Sequence, residues 1–380
     1  GNIFLLEKII YALKKKKTNF LLFLSITSLL LINGAFYRIA EHGTDRSALI
    51  LIFVLVITYY QSLKYTNFLD RKDLIKSYEN ILVLLLLIIS LKSFYIIYIA
   101  LLLVWLIQFR QLLFKADLLK HLFKNKITYL FIFGISIFTL TVFLNTSCFI
   151  YPASFTCFES MEWSITIDQV NSMKDWYSLW SKAGANPNFR TLDPELYLSG
   201  FNWVGNWINT YFFTKMSDYL GIVLFISIIC LFLLKNKKEK IKINNIYNYK
   251  ILYISIFLLF IEWFLNHPSL RYGGYTVVAL LVFIPLSYYL SSYSIYDNRL
   301  KKFVIFLIIL SYGVFFVKNV NRINAEIVKY NYKPLKNPHY HIVDNAFYFN
   351  ERIKYYDEIR KKNDKRFFLI LSRSFISANN

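Results

Sequence analysis

Residues 81–109 read ILVLLLLIISLKSFYIIYIALLLVWLIQF, an apolar run in which Lys92 is the only charged residue. A helical bilayer crossing takes roughly 17 to 25 residues, so the run is either one long tilted helix or two short ones folded at Lys92 and Ser93. The flanking charges decide between them, because short basic loops stay in the cytoplasm. The most basic segments are ALKKKKTN (12–19), RQLLFKADLLKHLFKNK (110–126), KNKKEKIKINNIYNYK (235–250) and NRLKK (298–302). All four share one side only if 81–109 crosses twice. A single crossing sets Lys115, Lys120, Lys124 and Lys126 opposite the polylysine run, so the sequence predicts a hairpin.

The remaining apolar runs, 19–36, 48–63, 128–145, 219–234, 251–265, 275–290 and 303–317, bring the expectation to about nine transmembrane helices. Composition agrees: 56% of the 380 residues are hydrophobic and 19% aromatic, with a mean hydropathy of +0.41. That is too much apolar surface for a soluble domain. The net charge of +21 sits in short segments between apolar runs rather than on one polar face, which points to cytoplasmic loops and away from nucleic acid. The expected architecture is an all-α polytopic membrane protein: membrane helices over 1–145, an aromatic-rich outer loop over 146–218, further membrane helices over 219–318 and an extramembrane tail over 319–380. The tail reads as an amphipathic helix followed by a strand, a small α/β element. Because Gly1 stands first, with no secretory signal before the first span, the chain is expected to be a fragment.

This topology leaves 37–47, 146–218 and 266–274 on the outer face. Cys148 and Cys157 then lie on the oxidising side, with Pro152 favouring a turn between them, and they are expected to form a disulfide. Cys230, the third and last cysteine, falls inside a span and reads as a packing residue. The large loop holds Trp163, Trp176, Trp180, Trp203 and Trp207, five of the chain's seven tryptophans. Asp168–Gly184 has Val170, Met173, Trp176, Tyr177 and Trp180 at helical spacing, which suits a helix lying on the membrane. SGFNWVGNW (199–207) sets Trp203 and Trp207 among glycines and asparagines, so these two are the expected walls of a shallow acceptor cleft.

The loop EWFLNHPSLRYGGY (262–275) breaks its helix at Pro268. Arg271 offers a planar fork suited to phosphate oxygens, His267 and Tyr272 flank it, and Gly273 and Gly274 let backbone approach a ligand. The bland alternative is that Arg271 pairs with Glu262 or with lipid phosphate. The first outer loop, YRIAEHGTDRSA (37–48), supplies the carboxylates Glu41 and Asp45 as candidate general bases, with Arg46 as a further binding residue. Asp45 could equally cap the following helix.

A span ending in NHPSLRYGGY and followed by VALLVFIPL resembles the late outer-loop pattern of membrane glycosyltransferases of the GT-C class. The resemblance covers 267–285 and lacks a clear counterpart of that class's acidic first-loop motif, for which Glu41 and Asp45 stand in. It implies a multi-pass enzyme of the bacterial inner membrane that takes a sugar from a polyprenyl-phosphate donor and passes it to an envelope glycan, lipid or protein on the outer face. It implies no particular cofactor beyond that donor substrate and leaves a divalent metal open. A polymerase or ligase of lipid-linked oligosaccharide, a transporter and a non-catalytic membrane protein are the alternatives. No zinc-type Cys/His spacing, phosphate-binding glycine loop or nucleophile elbow supports other common chemistries.

Overall fold

In the computed structural model, residues 1–37, 44–63, 71–115, 118–186, 189, 191–235 and 247–330 are described. They are helical, and among them there is no strand; the one β-bridge pairs Cys148 with Cys157. The expected α/β tail lies outside the described residues. Two compact units are present, one of Gly1–Phe36 with Thr44–Ser311 and one of Tyr37–Gly43 with Tyr312–Asn380.

The larger unit is built from α1 (Asn2–Lys14), α2 (Phe20–Ala35), α3 (Asp45–Ser62), α4 (Arg71–Leu91), a 3-10 turn (Ser93–Tyr98) leading into α5 (Ile99–Gln108), α6 (Arg110–Lys115), α7 (Leu118–Phe123) and α8 (Lys126–Thr146). The segment after α8 holds α9 (Ile167–Lys182) and α10 (Pro194–Leu198). Then α11 (Val204–Trp207) continues through a π-helical stretch, Ile208–Met216, into α12 (Ser217–Leu234). The last elements are α13 (Tyr247–Asn266), α14 (Gly274–Tyr293) and α15 (Asn298–Tyr330), of which the larger unit takes the part up to Ser311. Side-chain caps start several of them: Asn19 accepts from the N–H of Leu22, Asn125 from Ile127 and Asp193 from Leu196, supplying acceptors to helix-end donors that would otherwise be unpaired.

The chain does fold back at Lys92, whose extended backbone interrupts the apolar run. Tyr78, fourteen residues before Lys92, packs its ring 5.6 Å from that of Trp105, thirteen residues after it. Such near-symmetric contact needs two antiparallel arms.

Polar contacts fix the direction of the other helices. At one end of the larger unit, the Thr44 hydroxyl meets the carbonyl of Leu91, and the Tyr95 hydroxyl donates to the carbonyl of Arg271 (3.1 Å). At the other end the Tyr59 hydroxyl meets Gln108 (3.1 Å), the Trp105 indole donates to Ser62 (3.0 Å) and Asn125 donates to Glu79 (2.6 Å). There too Thr18 donates to the carbonyl of Ser294 (2.8 Å), Ser294 to that of Leu234 (2.6 Å) and Tyr296 to that of Leu13 (3.1 Å). Helix α1 runs toward this second end, since Asn2 reaches Asn33 near the far end of α2 (2.8 Å). The polylysine run, residues 110–115 and 118–126, and Arg299 through Lys302 all belong to this basic end. The loops around Asp45, Lys92 and Arg271 belong to the other.

Five helical stretches among the described residues are long and apolar enough to cross a bilayer: Lys72–Leu91, Lys126–Thr146, Val204–Leu234, Gly274–Tyr293 and Asn298–Ala325. The core lies along α2, α3 and α14, where Phe23, Phe53 and Phe283 are fully buried. Helix α8 instead exposes apolar side chains such as Phe133, Leu140 and Leu144, as a helix facing lipid does. The segment that follows α8 carries the Cys148–Cys157 disulfide. In the smaller unit the Asn319 amide donates to the carbonyl of Tyr37 (2.8 Å), and the Lys318 ammonium stands 4.7 Å from the Tyr37 ring.

Candidate functional site: an ion triad beneath an aromatic strap

Asp45 is the first residue of α3, just past the N-cap Thr44, whose side chain makes no capping bond. Its carboxylate lies at the positive end of the helix and is nearly buried, with 12% of the side chain exposed. One oxygen contacts the Lys92 ammonium and the other the Arg271 guanidinium. Arg271 thus pairs with Asp45 and not with Glu262, whose carboxylate accepts from Asn266 (3.2 Å). Burial pushes the Lys92 pKa down, and the bonded Asp45 carboxylate opposes that push. Arg271 keeps 56% of its side chain exposed. Among these three groups two cations share one carboxylate, and the exposed part of the triad is its arginine.

Segment 267–273 presents Arg271 and is clamped by aromatic side chains along its backbone. The Trp207 indole donates to the carbonyl of Pro268 (2.7 Å) and the Trp263 indole to that of Ser269 (2.8 Å). The Tyr211 hydroxyl accepts from the N–H of Leu270 (2.8 Å), and Tyr95 holds the carbonyl of Arg271. Gly273 takes φ +106°, where only glycine is unstrained, with the Tyr95 and Tyr98 rings close behind it. A side chain on Gly274 would come within 2.5 Å of the Trp263 ring. The two glycines therefore serve the turn and the packing of the strap; the expected role in ligand approach is not where the structure puts them.

Trp203 and Trp207 are buried, packed on one another (6.3 Å between centroids) and on Phe264. The Trp203 indole donates to the carbonyl of Gly200 (3.1 Å). With their faces covered and their N–H groups used internally, they are supports of the strap rather than walls of an open cleft. The aromatics beside the triad are others. The Lys92 ammonium stands 4.6 Å from the Tyr272 ring centroid. Tyr272 packs against Phe94 (5.5 Å), Trp180 (5.5 Å) and His267 (5.6 Å). Trp180, read from its spacing as part of a membrane-lying face, joins this wall, whereas Trp176 is exposed.

His267 sits 3.4 Å from the Ser181 hydroxyl and 5.1 Å from the Phe94 ring. Burial, with the Lys182 charge added, lowers its pKa to about 4, so the imidazole is neutral at physiological pH. Burial pushes the Tyr272 phenol up to about 12. Arg46 is half-buried one position beyond Asp45, and Glu41 lies outside the described residues. Sequence reading passed over Lys92, Phe94 and Ser181 as site residues. The available signal was Lys92 itself, a lone charge in an apolar run, which needs a partner wherever it is buried. No group of three His, Cys, Asp or Glu side chains suited to a metal ion occurs among the described residues.

No curated protein and no solved structure gives a significant match to the chain. One family model does match, over residues 1–278 of the 380. By that match the chain belongs to the family described as Domain of unknown function (DUF8201).

Proposed function

We propose that the protein is a multi-pass membrane glycosyltransferase that moves a sugar from a polyprenyl-phosphate donor to an envelope glycan, lipid or protein at the face where Asp45, Lys92 and Arg271 meet. The observation that carries this reading is the shared carboxylate: one candidate base lies between two cations, one of which, Arg271, keeps 56% of its side chain exposed. The donor phosphate takes Arg271 and Lys92 as counter-ions and so draws them off Asp45. The released carboxylate accepts the proton of the acceptor hydroxyl as that oxygen bonds to the anomeric carbon. The anomeric C–O bond breaks and its electron pair stays on the departing phosphate oxygen, where fixed cations stabilise the transition state more than the ground state. Trp180, Tyr272 and Phe94 form the wall against which an acceptor sugar stacks. In the membrane arrangement that goes with this reading, α2, α3, the 3-10/α5 run and α13 cross together with the five long helices. The basic end then lies in the cytoplasm of a bacterial cell and the triad on the outer face.

The ligase or polymerase alternative asks His267 to act beside Arg271 on pyrophosphate. Burial holds the His267 imidazole neutral in the ligand-free protein, so that alternative needs the pyrophosphate itself to raise the imidazole's pKa. The test is transfer of labelled sugar from a polyprenyl-phosphate donor by purified protein in proteoliposomes, with donor binding measured separately. Asp45→Asn should lower turnover at least about a hundredfold, in the range of a lost general base, while donor binding persists. Turnover by Asp45→Asn at the wild-type rate would sink the mechanism.

A further inference from the structure

A groove of about 590 Å³ lies between α1, α3 and α4, on the basic-end side of the bundle and away from the triad. Its three walls grade the same way. Along α3, toward the basic end, Val54 gives way to Thr58 and then Gln61. Along α4, Leu84 and Val83 give way to Asn80, then to Lys76 and Ser77, and finally to Asp73. On α1, which runs toward the basic end, Phe4 precedes Glu7 and Lys8. The groove is therefore apolar toward mid-bundle and polar toward the basic end, the order of a phospholipid in the adjoining leaflet. Two carboxylates and two ammonium groups line the polar part, so its net charge is zero. Lys8 lies 3.6 Å from Glu7, whereas Asp73, Lys76 and Asn80 present themselves at the surface. Ser77 is buried at 6% exposure on this wall, and its hydroxyl has no hydrogen-bond partner, a cost that a ligand oxygen would remove.

We propose that this groove seats a phospholipid whose head group is a zwitterion of phosphate and ammonium, taken from the leaflet at the basic end. The phosphate faces Lys76 and Lys8 with Ser77 and Asn80 donating, the ammonium faces Asp73 and Glu7, and an acyl chain follows Val83 and Phe4. An anionic head group without an ammonium would leave both carboxylates facing its phosphate, which charge complementarity disfavours. The inference rests on the membrane placement and is independent of glycosyl transfer.

The full chain, reconstituted in nanodiscs of equal phosphatidylethanolamine and phosphatidylglycerol and then moved to mild detergent, is analysed by native mass spectrometry for retained lipid. Phosphatidylethanolamine should be retained about fivefold over phosphatidylglycerol, and the double variant Glu7→Gln/Asp73→Asn should bring that ratio to about one. Lys76→Gln should lower retention of both. Glycerophosphoethanolamine, the same head group without chains, should displace the lipid only at far higher concentration. Equal or greater retention of phosphatidylglycerol by the wild type, an unchanged ratio in the double variant, or displacement by the chainless head group at equal concentration would each overturn the proposal. If a variant fails to fold, the wild-type ratio and the displacement arm still decide it. Donor turnover measured on the same samples reads the outer site separately, so failure of one reading is distinguishable from failure of the other.

Discussion

At the scale of single residues, the candidate site depends on how two cations share one carboxylate. Lysine at position 271 keeps the charge but loses the planar fork that can leave Asp45 and take an incoming phosphate through two N–H groups. Arg271→Lys should therefore cut sugar transfer at least about tenfold with little change in melting temperature, and Arg271→Ala should do worse; an Arg271→Lys variant with wild-type kinetics would remove the arginine from the site. Lys92→Met, similar in volume and uncharged, leaves Asp45 with one partner and should raise the donor KM. His267 makes a prediction in pH. Its folded pKa of about 4 lies below the unfolded value of about 6.5, so between these values the unfolded chain holds a proton that the folded chain does not. Stability is then lost as pH falls through that window and changes no further below about 4. At pH 5 the loss should be about 1 kcal/mol once partial solvent access is allowed for, seen as a lower apparent melting temperature in detergent. His267→Phe keeps the ring contacts with Phe94 and Tyr272 and should flatten that dependence; an equally steep dependence in the variant would assign the titration elsewhere.

Among the elements, the strap 267–273 determines where Arg271 can reach. Four ring-bearing side chains from three separate parts of the chain bind its backbone, so the loop is held by its neighbours rather than by its own sequence. Trp207→Phe keeps the buried ring and removes only the bond to the carbonyl of Pro268. It should cost about 1–3 kcal/mol of stability, the penalty of a buried carbonyl left unpaired. It should also lower transfer, because displacement of the strap moves Arg271 away from Asp45. Trp176→Ala, on an exposed ring, should do neither, and equal effects from the two substitutions would return the tryptophans to a general anchoring role. Here the limits of the sequence are visible. Pro268 and Arg271 could be picked out as a helix break and a cation, since both signals are local. The partners of the strap lie at sequence distances that no periodicity reports, and Trp203 and Trp207 were misread because tryptophan beside glycine and asparagine looks alike in a cleft and in a packed corner. Lys92 was legible as the fold point of a hairpin, but its pairing with Asp45, 47 residues away in sequence, was not.

Across the whole molecule, what the sequence carried best was direction. Basic segments and apolar runs alternate, and the helices follow them: the contacts of Thr18, Leu234, Ser294 and Tyr296 gather the basic segments at one end, while Asp45, Lys92 and Arg271 meet at the other. The sequence carried span count less well. Length is a property of one helix, and the runs at α2 and at the 3-10/α5 arm are short, so whether they cross depends on what surrounds them in the bilayer. The topology is testable through single cysteines placed on a background in which Cys230 is replaced by Ala and Cys148 and Cys157 are left paired. A cysteine at Lys301, at the basic end, should react with a membrane-impermeant maleimide only after permeabilisation, and one at Ser93, at the hairpin tip, should react in intact cells. The hairpin makes this test sharp: if 81–109 crossed once, positions 93 and 301 would not divide in this way, and the basic segments before and after it would lie on opposite sides against the positive-inside bias. Labelling of Ser93 only after permeabilisation would put the ion triad on the cytoplasmic side, away from polyprenyl-linked donors of the outer leaflet, and would defeat the outer-face transferase even if Asp45 and Arg271 proved essential. Labelling of Ser93 in intact cells, with Cys148 and Cys157 recovered as one disulfide-linked peptide, would place the triad and the oxidised loop together on the face where an envelope acceptor is found.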